Sequence, residues 1–222
     1  MCGRFTLATD PSEVNEDFQG IEFPAQFAAR FNIAPTQPVL AIRNDGRQVA
    51  DFLVWGLIPS WAKDPTIGSR LINARGETLA EKPAFRGAYK YKRCLIPADG
   101  FYEWKAQPSA KPKVPYYVQL KSRKPFAFAG LWDEWRSSDG SVVQSCAIIT
   151  TSPNELMASI HNRMPVILRS KDYGEWLDHA PRPPDSLQHL IQPLPAELMQ
   201  AYPVSTLVNS PSNDSPEVIL PS

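Results

Sequence analysis

Ser138-Asp-Gly140, followed by Val142-Val-Gln-Ser-Cys-Ala-Ile-Ile-Thr150, is the stretch that decides the fold class. The triplet is a hairpin turn signal, and the run after it is β-branched and apolar, as strands are. Outward from it the same pattern repeats. Runs at 39–43, 49–55, 116–120, 126–130 and 164–168 read as strands, with Asn44-Asp-Gly46 as a second hairpin turn. Arg93-Cys-Leu-Ile-Pro97 is equally strand-like. Helices are expected to be short. Asp10-Pro-Ser-Glu13 and Ser152-Pro-Asn-Glu155 each combine a capping side chain, an early Pro and a Glu three positions on. The second helix should run through about Ala158. Residues 170–177 and 195–200 suggest two more. Strands dominate and helices are interspersed irregularly. The expectation is one α+β domain, residues 2–222, around a curved, mostly antiparallel sheet or barrel-like core. Residues 209–222 read as an extended surface tail.

Composition narrows the classes. The chain has 222 residues, 43% of them apolar, enough to bury a sizeable core. Its 23 prolines favour short elements joined by rigid turns over a helical bundle. There is no apolar run of about 18 residues to span a membrane. The first residues lack the basic and apolar regions of a secretory signal. A cytoplasmic location is the expectation, with a monomer as the default. The 23 basic and 23 acidic residues cancel, so any nucleic-acid binding must come from a local basic patch. Three cysteines, Cys2, Cys94 and Cys146, are odd in number and too widely spaced for a CxxC half-site. No disulfide, metal or cofactor is expected. Cys94 and Cys146 suit buried positions as small apolar residues.

Four segments carry chemistry: Cys2-Gly-Arg4, Asn73-Ala-Arg75, Glu103 within an aromatic run, and His161-Asn-Arg163. In extended chain, residues i and i+2 share a face. Three segments would then each set one reactive or hydrogen-bonding group beside an Arg, whose planar fork suits phosphate. The same spacing also occurs on ordinary solvated strands. Glu103 sits among Phe101, Tyr102 and Trp104, where desolvation would raise its pKa unless a partner compensates. His161 is one of three histidines, and a lone His after a short helix is more often structural than catalytic. His179 and His189 lie in polar, Pro-rich surroundings and suit the surface. After removal of Met1, Cys2 would carry an amine and a thiol on adjacent carbons, with unperturbed pKa values of about 7.7–8.0 and about 8.5. Such an aminothiol condenses with an aldehyde to an imine and closes to a thiazolidine. An internal cysteine gives only a labile hemithioacetal. Position alone does not separate this chemistry from a Cys that merely packs in a first strand.

Met1-Cys-Gly-Arg-Phe5, Phe31-Asn-Ile-Ala-Pro35, Trp55-Gly-Leu-Ile-Pro-Ser-Trp61, Ile72-Asn-Ala-Arg75, Arg93-Cys-Leu-Ile-Pro-Ala-Asp-Gly-Phe-Tyr-Glu-Trp104 and Ile160-His-Asn-Arg-Met-Pro165 occur in this order. Together they resemble the SOS-response-associated peptidase (SRAP) family. The resemblance implies a shield for abasic sites in single-stranded DNA, crosslinked to the sugar aldehyde through a thiazolidine at Cys2. It implies Asn73 as the residue orienting the adduct, Glu103 as a proton carrier at the amine and thiol, and His161 as the acid that opens the sugar ring. It is also compatible with weak lyase activity, because an imine beside a β-phosphate permits strand cleavage. Expected DNA contacts are Arg4, Arg75 and Arg163 to phosphates, with Trp61, Trp104 and Pro35 as faces for bases and Asn32 and Arg86 beside them. Arg86, Lys90, Lys92 and Arg93 form a basic run that either extends the groove or is a solvated face. Two other readings stand beside this one. In the first, an N-terminal-nucleophile peptidase or amidase, Cys2 attacks an amide. In the second, a non-catalytic single-strand-binding module, Arg4 and Arg75 matter and Cys2 does not.

Overall fold

Strands follow one another along the chain with short helices between them: β1 (Phe5–Leu7), α1 (Pro11–Asp17), β2 (Arg30–Ile33), β3 (Pro38–Arg43), β4 (Ala50–Trp55), β5 (Asn73–Arg75), α2 (Arg86–Tyr91), β6 (Arg93–Ala98), β7 (Gly100–Lys105), β8 (Val114–Leu120), β9 (Phe126–Arg136), β10 (Val142–Thr151), α3 (Glu155–Ala158), β11 (Met164–Pro165), β12 (Ile167–Leu168), α4 (Tyr173–Trp176) and β13 (Met199–Pro203). This computed structural model describes residues 2–108, 112–183 and 185–222.

The turn at 138–140 joins β9 to β10, which pair antiparallel from Val142–Arg136 to Ile148–Gly130. The Asn44–Gly46 turn likewise joins β3 to β4. From these hairpins a five-stranded barrel closes: β3 pairs with β4 and β6, β9 with β6 and β10, and β10 runs parallel to β4. Closure removes the unpaired edges that an open sheet would expose. Leu53, Trp55, Leu95, Phe128 and Ile148 are among its fully buried residues. A second, antiparallel sheet has the order β13-β8-β7-β1-β2. Phe5 docks it on the barrel, with its ring edge-on to Trp55 at 5.2 Å and to Phe128 at 5.7 Å. Burying a Phe stabilises by roughly 2–3 kcal/mol, so β1 is anchored three residues from Cys2. Asp99, at the β6–β7 turn, fixes the other end of β1. Its carboxylate accepts from the Thr6 hydroxyl, the Thr9 amide at 2.7 Å and the Thr9 hydroxyl at 2.9 Å.

Two glycines deliver β5 to the barrel. Gly56 has φ +139°, and a Cβ there would lie 2.7 Å from the Gly68 carbonyl oxygen. Only glycine permits that backbone crossing. The loop then folds back, the Trp55 indole donates to the Ile72 carbonyl at 2.9 Å, and β5 pairs parallel with β10.

The α+β expectation and the barrel-like core agree with this architecture, and the expected strand runs fall on β3, β4, β8, β9, β10 and β11–β12. Other expectations need correction. The 195–200 helix is only one 3₁₀ turn, Ala196–Leu198; Met199 and Gln200 enter β13 because β8 offers them an antiparallel partner. The 152–155 signature is shifted: Asn154, not Ser152, caps α3, its Oδ1 accepting from the Met157 amide at 2.9 Å. The 170–177 helix divides into a 3₁₀ turn, Ser170–Asp172, and α4.

Residues 209–222 are not an extended tail. They hold 3₁₀ turns around buried Val208 and Val218, which pack against Tyr102 and Tyr117. The Asn32 amide nitrogen donates to the carbonyls of Val208, Ser210 and Asn213 at 3.1, 3.0 and 2.8 Å. The Asp214 carboxylate accepts from the Asn32 amide N–H at 2.9 Å and pairs with Arg30. Removing the Asn32 side chain leaves buried carbonyls unsatisfied, at about 1–3 kcal/mol. Asn32→Ala should therefore lower the urea midpoint and expose the C-terminal segment to protease. An unchanged midpoint contradicts this clamp.

Candidate functional site

Cys2, Asn73, Glu103 and His161 come from four separate segments, and the structure brings them together where β1, β5 and β7 meet the turn after α3. Cys2 is fully buried just before β1, whose register with β7 has the Tyr102 amide donating to the Arg4 carbonyl at 3.0 Å. Asn73 opens β5, and its amide nitrogen donates to the Cys2 carbonyl at 2.8 Å. Its Oδ1 is buried and accepts no hydrogen bond among the described residues, an open acceptor beside Cys2. Glu103, on β7, is 2% exposed. The His161 Nε2 lies 4.0 Å from its Oε2.

The electrostatics follow from burial. Burial pushes the Glu103 carboxyl up to about 6, near the range useful for proton transfer. Burial also raises the Cys2 thiol well above its ordinary value, with the neighbouring Glu103 charge adding to the effect. The resting sulfur is thus a neutral thiol, and its one hydrogen bond among the described residues runs to the Arg4 carbonyl at 3.9 Å. Burial lowers the pKa of His161. The Arg163 amide N–H donates to His161 Nδ1 at 3.1 Å. The neutral imidazole therefore carries its proton on Nε2, the nitrogen that faces Glu103.

An open cleft of about 370 Å³ leads to this pair, lined by Glu103, Trp104, Lys113, His161 and Asn209. Lys113 and Asn209 carry no sequence motif that would mark them in advance. Trp104 belongs to this lining, and its indole donates to Asn209 Oδ1 at 2.8 Å.

The expected arginine contacts fare unequally. Arg75 is exposed on β5, with Ala74 between it and Asn73 fully buried, as the i, i+2 pattern requires. Arg4 instead serves as a clamp: its guanidinium donates to Asn32 Oδ1 at 2.8 Å and to the carbonyls of Val208 and Asn209 at 2.7 and 3.1 Å. Arg163 forks onto both oxygens of Glu77, at 2.5 and 2.8 Å, and onto the Thr150 carbonyl. In this structure the two guanidinium groups are engaged by protein acceptors, while Arg75 is exposed. Asn32 is fully buried beneath the C-terminal segment and has no face for DNA. Pro35 is half-buried; Arg86 and Trp61 are exposed, Trp61 at 60%. None of these three lines the cleft.

The basic run divides. Arg86 and Lys90 are exposed on α2, and Lys92 pairs with Asp133 at 2.6 Å. Arg93 is fully buried, donating to the carbonyls of Tyr89, Lys90 and Trp176. Cys94 and Cys146 are buried free thiols, and His179 and His189 are exposed. Met1 lies outside the described residues. No helix among the described residues is long and apolar enough to cross a membrane.

This fold, with this site at its edge, defines a family. The profile of the SOS response associated peptidase (SRAP) family matches residues 1–211, and the chain belongs to that family. It is 51% identical to the abasic site processing protein YoqW of Bacillus subtilis, over 99% of each chain. It is 32% identical to the abasic site processing protein HMCES of Xenopus tropicalis, over 98% of this chain and 77% of that one. A crystal structure of a Bacteroides thetaiotaomicron protein superposes with a TM-score of 0.88 at 26% identity, covering 100% of both chains.

Proposed function

We propose that this protein processes abasic sites by forming a covalent bond between mature Cys2 and the open-chain aldehyde of the lesion in single-stranded DNA. The observation that carries the reading is the Glu103–His161 pair, 4.0 Å apart, beside a buried Cys2 whose carbonyl is held by Asn73. The names of the relatives supply the substrate class.

The chemistry balances on the residues present. The C1′ hydroxyl gives its proton to the Glu103–His161 pair, which returns a proton through His161 to the sugar ring oxygen, and the ring opens to the aldehyde. The Cys2 amine adds to C1′ and the carbinolamine loses one water, giving an imine. Glu103 takes the thiol proton, sulfur adds to the imine carbon, and that proton passes to nitrogen. The open Asn73 Oδ1 accepts the N–H of the resulting ring. The net loss is one water. Proton transfers by positioned side chains of this kind are worth about 10²–10⁴-fold in rate each. An imine that eliminates the β-phosphate before ring closure gives the weak lyase side reaction.

The test is to mix the Met1-processed chain with an oligonucleotide holding one abasic site. A denaturing gel should show an adduct, and its mass should equal the two partners less one water. Absence of any adduct, with the lesion shown to be intact, sinks the reading.

A further inference from the structure

Arg75 keeps an exposed position next to Asn73 on β5, and the cleft lining adds further groups suited to a phosphate beside the lesion. Three groups lining the cleft take no part in the chemistry above, Trp104, Lys113 and Asn209. An indole N–H is a donor only, so the Asn209 oxygen must face Trp104. The amide NH₂ of Asn209 is therefore turned away from Trp104. Its backbone is fixed as well, because Arg4 holds the Val208 and Asn209 carbonyls. Lys113 is exposed just before β8, and its charge lowers the proton affinity of both Glu103 and His161. The cleft lining thus offers an ammonium and an amide donor as well as a carboxylate and an imidazole.

We propose that Lys113 and the Asn209 amide hold a phosphate flanking the abasic sugar and set the position of its C1′ before the Glu103–His161 pair. A phosphodiester presents two acceptor oxygens and a negative charge, which an ammonium and a fixed amide complement. The C-terminal segment then acts as a binding wall of the site. This proposal rests on the abasic-site reading above and adds the contact that sets register.

The test measures crosslinking rate against oligonucleotide concentration at several salt concentrations, for the processed chain, Lys113→Gln and Asn209→Asp. Asn209→Asp keeps an acceptor for Trp104 but sets a carboxylate against the phosphate. Lys113→Gln should raise the half-saturating concentration about tenfold and reduce the salt slope by about 0.7. Asn209→Asp should raise the half-saturating concentration at least as much, with the larger share of the loss there and not in the maximal rate. Neutral methylphosphonate at the 5′ or the 3′ flanking phosphate locates the contact, because the Lys113→Gln penalty should vanish on one of the two. Half-saturation and salt slope equal to those of the unmodified protein in both variants overturn the proposal. So does a Lys113→Gln penalty that persists on both methylphosphonate substrates. Binding of the same variants to an oligonucleotide with a tetrahydrofuran, which has no aldehyde, reads the phosphate contact without crosslinking. A failure of the covalent chemistry is thereby distinguished from a failure of this contact.

Discussion

Cys2→Ala is expected to abolish the stable adduct, a loss of at least about 10³-fold in crosslinking rate, the scale of removing a covalent nucleophile. The fold should survive. The substitution removes one buried sulfur, and Asn73 holds the Cys2 backbone carbonyl, which alanine retains. Thermal unfolding of the variant should stay close to that of the parent, so the loss is chemical. Cys2→Ser sharpens the test. Its amine still condenses with the aldehyde, so borohydride should trap an imine, but the stable sulfur ring should be missing. A chain that keeps Met1 should also be inert, because its Cys2 nitrogen is an amide. Replacing Cys94 and Cys146, both buried in the core away from the cleft lining, should leave the adduct in place. A stable adduct in Cys2→Ala, or one that requires Cys94 or Cys146, contradicts the assignment.

Glu103→Gln should move activity and stability in opposite directions. The folded carboxyl titrates at about 6, above its ordinary 4.5. A raised folded pKa means the native state binds the proton more tightly than the unfolded chain. That contribution to stability is fully present below about 4.5 and is lost as pH rises through about 6. At pH 7–8 the buried carboxylate therefore costs up to about 2 kcal/mol, and glutamine removes the cost. The variant should melt at higher temperature than the parent at pH 8, with the gain fading towards pH 4. His161, its pKa lowered by burial, contributes the opposite slope below its own ordinary value, so the comparison at pH 8, where the imidazole is neutral in both proteins, isolates Glu103. Crosslinking should fall about 10²–10⁴-fold, and the limb of the rate profile that rises through about 6 should disappear. A variant that keeps that limb, or that is less stable than the parent at pH 8, argues against Glu103 as a buried proton carrier.

Much of the barrel was legible because its strands are apolar, β-branched and bounded by Asp-Gly turns. β5 was legible only as an extended triplet, not as a paired strand: three residues make no periodic pattern, and the pairing forms because Gly56 and Gly68 let the chain cross itself and reach β10. The C-terminal segment misled for a related reason. Its Pro, Ser and Asn composition lacks periodicity, yet its carbonyls match the donors of Arg4 and Asn32. Glu103 was read as crowded by aromatic neighbours, and it is buried. The pleat nevertheless sends Tyr102 onto the C-terminal segment, with its hydroxyl donating to the Phe31 carbonyl at 2.7 Å.

By itself, the sequence determined the α+β class, the hairpins at 44–46 and 138–140, the burial of Cys94 and Cys146, and, through its ordered motifs, the family and its four candidate reactive side chains. These are properties of local pattern, and local pattern survives without coordinates. Tertiary structure alone decided which of those side chains meet, which nitrogen of His161 carries the proton, and which arginines already have partners. Arg4, Arg75 and Arg163 look alike in sequence, but only Arg75 keeps an exposed position. Availability of a charge depends on acceptors brought close from distant parts of the chain, here Glu77 and the carbonyls at 208–209.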